Sequence, residues 1–182
     1  MPPERPSNCS AGVPVDFYWC ECFGPDEDEH IEAAVNALWQ AIRRRGERGW
    51  DPRAAALVRS EFRDRLREAA RGELKPVDHV KEVGPGHPVL FEIRWQDIPV
   101  MELGTPRRFH DIQVRLIHAE PEVLGLAFVG LHAHEKIIIK DRGDREANEK
   151  ATHRAQDAEI AKAAAIHGSG VGSLWGQVRR QP

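Results

Sequence analysis

The sequence predicts an α+β fold, with one mainly antiparallel sheet, an N-terminal helical hairpin and a C-terminal helix. Three observations carry this. Apolar residues recur at helical spacing in two early segments joined by a short link. From residue 77 the period switches to two, over three consecutive segments. A last long segment, 144–167, returns to helix-forming residues. Strands in a run, with helices kept apart from them, pack as a sheet carrying helices on one face. The expected order is β, α, α, β, β, β, α.

Residues 1–12 are rich in Pro, Ser and Gly and are expected as a flexible leader. Val15, Phe17 and Trp19 alternate, which makes Val13 to Phe23 a strand broken by Gly24-Pro25. The acidic run 26–29 suits the positive end of a helix whose stripe is Ile31, Val35, Leu38 and Ile42. Arg43-Arg44-Arg45 suits its negative end, and Gly46 caps it. Asp51 and Pro52 form a start signal for a second helix. Val58, Phe62, Leu66 and Ala69 are its buried face, and Gly72 ends it. The short link makes the two helices antiparallel. The arginines at 59, 63, 65 and 67 alternate with acids and read as a solvated face of ion pairs.

Val89 to Trp95 reads as a strand, with Phe91, Ile93 and Trp95 on one side and Leu90, Glu92 and Arg94 on the other. His110 to His118 is the next, with Ile112, Val114 and Leu116 opposite Asp111, Gln113 and Arg115. Val123 to His134 is nearly all apolar, as a strand covered on both faces must be. Short turns make these three a meander. In the final helix Asp144 caps, Gly168 stops, and Ala147, Ala151, Ala155 and Ala158 face inward. Residues 13–167 are thus expected as a single domain and 168–182 as a flexible tail in which Trp175 can dock.

The chain has 182 residues, 41% hydrophobic and 30% charged, with a net charge of −3. Such a composition fits a globular domain and excludes a fibrous or mostly disordered chain. No apolar run approaches the roughly 18 residues of a membrane span, and the first residues lack an apolar signal core, so the cytoplasm is the expected location. The charge is uneven. The whole −3 lies in residues 1–79 and the remainder is neutral, so any basic site is local to the second half. Three cysteines, Cys9, Cys20 and Cys22, do not make a disulfide framework. Cys20-Glu21-Cys22 lacks a second ligand pair at zinc spacing and reads as reduced thiols at a strand end.

Phosphate-loop, zincin, nucleophile-elbow and dinucleotide motifs do not occur. Gly84 to Pro88 is a turn, because proline removes donors that a phosphate cradle needs. What remains is a set of cations and imidazoles on strands. Arg94 and Arg115 sit mid-strand; His132, His134 and Lys136 share one side; Lys140, Arg142 and Arg145 follow. A cation within a strand built for burial needs a partner, and Glu92 or Glu102 can supply it for Arg94. The functional alternative is an anion site, where fixed cations stabilise charge growing on a phosphate and histidine moves protons. His132-Ala133-His134 also has the i, i+2 geometry of a metal pair, with a third ligand not evident; a structural role for His134 stands beside these.

Three stretches, Leu90-Phe91-Glu92-Ile93-Arg94, Val114-Arg115-Leu116-Ile117-His118-Ala119 and Val129 to Lys136, resemble the phage-derived HigB-like branch of the RelE/HigB toxins. That family reads L-x-E-L-R, then Y-R-x-x-Y-A, then L-L-H-x-F-x-K-K-x-x-x-K, then a helix with E-I-x-x-A. Arg94 and Arg115 fall on its arginines, His132 on its histidine, and Lys136 and Lys140 on its first and last lysines. The final helix, with Glu146, Ala147 and Arg154, sits where the family has its closing helix. His118, His134 and Ile137 stand where the family has tyrosine, phenylalanine and a second lysine.

The resemblance implies a RelE-like fold and the toxin of a type II toxin–antitoxin system. Such a toxin is a ribosome-dependent mRNA endonuclease whose nucleophile is the RNA's own 2′-OH, with no metal and no cofactor. Its partners are a cognate helix-turn-helix antitoxin, the ribosome and mRNA, and no membrane. It implies that Arg94 and Arg115 neutralise the scissile phosphate. Lys136 then adds charge, and His132 or His134 shuttles protons. Lys140, Arg142, Arg145 and His118 are the expected RNA contacts. Two other readings stay open: a RelE-like module that binds a protein or RNA without cleaving, and a zinc-dependent hydrolase or zinc-stabilised domain using Cys20, Cys22, His132 and His134.

Overall fold

The computed structural model describes residues 6–44, 47–83, 90–140 and 143–177. The chain runs β1 (Asp16–Trp19), α1 (Glu27–Arg43), β2 (Arg48–Gly49), α2 (Pro52–Ala70), β3 (Val80–Glu82), β4 (Leu90–Glu102), β5 (Arg108–Ala119), β6 (Ala127–Glu135) and α3 (Arg145–Gly170). The fold is α+β. The expected meander is present as β4, β5 and β6, all antiparallel. Two short strands, β2 and β3, add to the expected order and both pair with β4. The strand order is β1-β6-β5-β4-β2, with β1 parallel to β6. The sheet is therefore mixed.

The first two helices start where the sequence signals start. Asp26 accepts a hydrogen bond from the Asp28 amide, and Asp51 accepts from the amides of Arg53 and Ala54. Each cap contributes about 1 kcal/mol. The antiparallel pairing of α1 and α2 shows in their cross-links. Arg63 bonds Glu32, Arg67 bonds Asp28 and Arg59 bonds Asn36, so one number rises as the other falls. Arg59, Arg63 and Arg67 thus join the two helices, while Arg65 pairs with Glu68 within α2. At the end of α2, Gly72 takes φ +71°, and a Cβ there would lie 2.4 Å from the Val13 carbonyl. The cap Gly46 and the turn 84–88 lie outside the described residues.

One expectation is corrected: the helices do not share a face. Phe17, Leu38, Phe62, Leu66, Phe91, Ile93, Trp95 and Phe128 form a core between the sheet and the α1–α2 pair. Tyr18, Leu90, Ile117, Val129, Leu131, Ala163 and Trp175 form a second core beneath α3, on the opposite face. The chain is a three-layer sandwich because the third helix must cover the apolar residues of β6 that the hairpin leaves bare.

Both ends of the described chain are tied down. The segment expected as a loose leader contains Cys9, fully buried, and Ser7, whose hydroxyl donates to Glu120. At the other end α3 runs through Gly168 to Gly170, and Trp175 folds back, its indole N–H donating to the Ile166 carbonyl at 3.2 Å. Ala147, Ala151 and Ala155 are half-buried as expected, but Ala158 is exposed. The inward stripe continues instead through Glu159, Ile160 and Ala163. Among the described residues no helix is long and apolar enough to cross a membrane.

Candidate functional site

The register of the meander brings most of the predicted cations together. Arg94 of β4 lies directly opposite Arg115 of β5, and Arg115 lies directly opposite His134 of β6. Glu92, Ile117 and His132 form the adjacent row. Directly opposed residues in an antiparallel pair have Cβ atoms roughly 4.5–5.5 Å apart. Three potential cations in one row repel one another, so something must hold them.

Glu92 holds the two guanidinium groups. Its Oε1 accepts from Arg94 Nε at 2.8 Å and Nη2 at 2.5 Å, and from Arg115 Nη1. Arg94 also donates to the Val77 carbonyl at 3.1 Å, and Arg115 to Gln113 at 3.4 Å. The Nε of Arg115 is buried and has no partner among the described residues. Of the two acids the sequence offered to Arg94, Glu92 is the one used.

One carboxylate does not balance the row. Burial, with Arg94 adding repulsion, lowers the pKa of Arg115 despite Glu92. Burial and the same two guanidiniums lower that of Lys136. His134 falls to about 4, through burial first and then the neighbouring His132, Arg115 and Lys162 against an opposing Glu159. At neutral pH His134 is therefore an uncharged imidazole beside a local excess of positive charge. Lys136 makes no hydrogen bond or ion pair with its ammonium among the described residues.

The histidines sit beneath α3. The rings of His132 and His134 stack with centroids 5.7 Å apart and planes 11° apart. His132 Nε2 lies 2.6 Å from Glu159 Oε2, and Lys162 donates to Glu159 Oε1 at 2.8 Å. Glu159 is held below the usual carboxylate range: burial opposes this, and bonds from Lys162 and His132 outweigh it. Sequence reading did not single out Glu159. The only signal for it was its helical spacing from Ala155 and Ala163, one turn away on either side.

Beyond the row, β6 leads into a cleft of about 580 Å³ lined by Lys136, Lys140, Arg145, Asn148, Thr152 and His153, among others. Lys140 and Arg145 are exposed there, and Arg145 pairs with Glu149 at 2.8 Å. Arg142 lies outside the described residues. His118 is corrected: it is fully buried on the opposite face of the sheet, stacked near Phe91 and Phe128, and cannot touch RNA. Its Nε2 lies 3.3 Å from Glu120 Oε1 and 3.7 Å from Cys9 Sγ. Burial and the charge of Glu120 push the Cys9 thiol up, so it is no nucleophile.

Cys20 and Cys22 do not join the histidines. Cys20 is buried with its thiol on the Leu131 carbonyl, and burial and Glu21 push its pKa up to about 12. Neither cysteine belongs to a ligand cluster among the described residues. Comparison with known proteins finds no matching family model, no matching curated protein and no matching solved structure.

Proposed function

We propose that this chain is a RelE-like endoribonuclease, the toxin of a type II toxin–antitoxin system, cleaving mRNA on the ribosome. The observation that carries the reading is the row Arg94, Arg115, His134 across three neighbouring strands, with Lys136 beside it and without an ion pair among the described residues. A phosphodiester placed over this row meets an excess of positive charge held in a partly dry site, where such charge acts most strongly. The 2′-OH attacks the adjacent phosphorus, a 2′,3′-cyclic phosphate forms, and the 5′ oxygen leaves. His134 enters neutral and can accept the 2′-OH proton, and the phosphate's own negative charge raises its proton affinity as substrate arrives. His132 on Glu159 is the second proton carrier, available to the leaving oxygen. The cleft with Lys140 and Arg145 is suited to hold the flanking backbone.

In this reading the toxin is silenced by a helix-turn-helix antitoxin and works in the cytoplasm. The net charge of −3 fits a nuclease that depends on the ribosome to present its substrate, since so small a patch binds free RNA weakly. A second reading, a RelE-like module that binds without cleaving, is favoured by the capture of both guanidiniums by Glu92.

Induced expression separates the two readings. The nuclease arrests growth and cleaves a reporter mRNA in a translation extract only when ribosomes are present. Lys136→Ala, which breaks no pairing seen in the structure, loses about 100-fold in cleavage. Arg94→Ala loses at least as much. Wild-type protein that neither arrests growth nor cleaves refutes the reading, and full cleavage by both variants refutes the site.

A further inference from the structure

We propose that His132, His134 and Glu159 form a binding site for a transition-metal dication, with zinc the best match to the donors. Each side chain offers one donor atom, and the three lie within 4.8 Å of one another. Two come from β6, where the stacked rings must turn for each to aim an in-plane nitrogen lone pair at one ion, and the third descends from α3. Two imidazole nitrogens and one carboxylate oxygen make the donor set of open zinc sites, whose fourth position goes to water. The same set suits other imidazole-seeking dications such as cobalt or nickel, whereas magnesium and calcium demand oxygen.

Besides that turn of the rings, the donor separations change little. Ligand bonds of about 2.0–2.1 Å at tetrahedral angles put donor atoms about 3.3–3.4 Å apart. The His132–Glu159 contact of 2.6 Å must open by less than an ångström, and His134 must close by no more than about 1.5 Å. The ion takes the place of the His132–Glu159 hydrogen bond, and any proton in it leaves. Lys162 holds the other oxygen of Glu159, which orients the carboxylate and leaves Oε2 for the ion, as outer partners of metal ligands do.

Two further features favour an ion. His134 is 6% exposed and its Nδ1 is buried with no partner among the described residues, so the apo site carries an unmatched polar atom. The nearest cations, Arg115 and Lys162, are bonded to Glu92 and Glu159, which lessens their repulsion of an ion without cancelling it. The other cluster of possible ligands, Cys9, His118 and Glu120, is sealed in the core. There the Ser7 hydroxyl and the Asn8 amide already bond Glu120.

The inference does not rest on the RNA reading, and its test uses no RNA. An ion bound here occupies the imidazole nitrogens that the RNA reading uses for proton transfer, so the metal-bound site and the proton-carrying site are alternative states of one cluster. Full-length protein stripped with a chelator is titrated with zinc by calorimetry and with cobalt by visible absorption. The expected result is one ion per chain, with cobalt bands of a four- or five-coordinate nitrogen–oxygen site and a raised melting temperature in zinc. Glu159→Gln and His134→Ala should each weaken zinc by about 100-fold or more. Cys20→Ser with Cys22→Ser should leave it unchanged. Glu159→Gln keeps the size of a partly exposed side chain, and circular dichroism checks that it folds. No saturable binding at micromolar zinc overturns the inference, as does binding that neither ligand variant weakens or that the cysteine variant abolishes.

Discussion

Glu92→Gln separates the two jobs that one carboxylate performs. Glu92 Oε1 accepts three guanidinium N–H groups, and none of the three side chains is more than 19% exposed. At 3 Å and an effective dielectric near 20, each cation–carboxylate attraction is about 6 kcal/mol. The amide oxygen of glutamine keeps an acceptor, and relief of carboxylate desolvation offsets much of the remainder. Breaking a buried pair while leaving its cation typically costs about 3–5 kcal/mol, so a loss of about 3 kcal/mol is expected. For a chain of this length that lowers the melting temperature by about 6–12 °C. Urea denaturation followed by tryptophan fluorescence measures it. The same substitution raises the charge of the row by one. Binding of a labelled single-stranded RNA, measured by anisotropy over a range of salt, should become tighter at low salt and steeper in its logarithmic slope by about 0.7. Stability must fall while RNA affinity rises. A variant of unchanged stability with an unchanged salt slope refutes the reasoning, because Glu92 then neither organises the arginines nor screens them.

Other outcomes follow from the packing around this site. Arg48 makes a two-pronged bond to Glu135 at 2.7 and 3.0 Å, with side-chain exposures of 5% and 9%. Glu135→Ala should cost about 3–5 kcal/mol in urea denaturation, and Arg48→Met with Glu135→Leu should recover most of it. Glu120 is held below its ordinary pKa of 4.5: burial opposes this, and the bonds from His118, Ser7 and Asn8 outweigh it. Its contribution is present above that value and is lost as pH falls through the lower folded value. Acid denaturation should therefore begin below about pH 4.5, and Glu120→Gln should flatten this part of the stability–pH curve. A Cβ on Gly170 would lie 1.9 Å from Trp175 Nε1, so Gly170→Ala should expel the indole, red-shift its emission and cost about 1–3 kcal/mol.

Local chemistry was readable where a residue acts alone. Asp51 before Pro52 and Asp144 before Arg145 are helix starts in the sequence and in the structure. Partners distant in sequence were not readable. The parallel pairing of β1 with β6 joins residues more than a hundred positions apart. Glu159 meets His132 across 27 positions, from a helix whose alanines give no clear inward stripe. His118 was legible and misread. It shares even parity with Ile112, Val114 and Leu116, which the alternation itself sends to the core, so its burial follows from the pattern that placed Arg115 on the other face.

The histidines depend on one extra residue. Along the first half of β6, odd-numbered Val129 and Leu131 face α3 while Phe128 and Gly130 face Phe17 and Trp19. Regular alternation from there would send His132 and His134 into the aromatic core beneath α1. Instead the register shifts: Ile117 pairs with His132 but His118 pairs with Gly130, so Leu131 is an added residue on β6. A bulge of this kind re-aims the side chains that follow it. After it, the even positions face α3, which lets one strand present apolar residues to a helix and then His132, His134 and Lys136 to the same side. The near-continuous apolar run hides this change of parity in the sequence, because a strand buried on both faces has no alternation to interrupt. The place of His134 beside Arg115, the histidine stack and the contact with Glu159 all follow from that single inserted position.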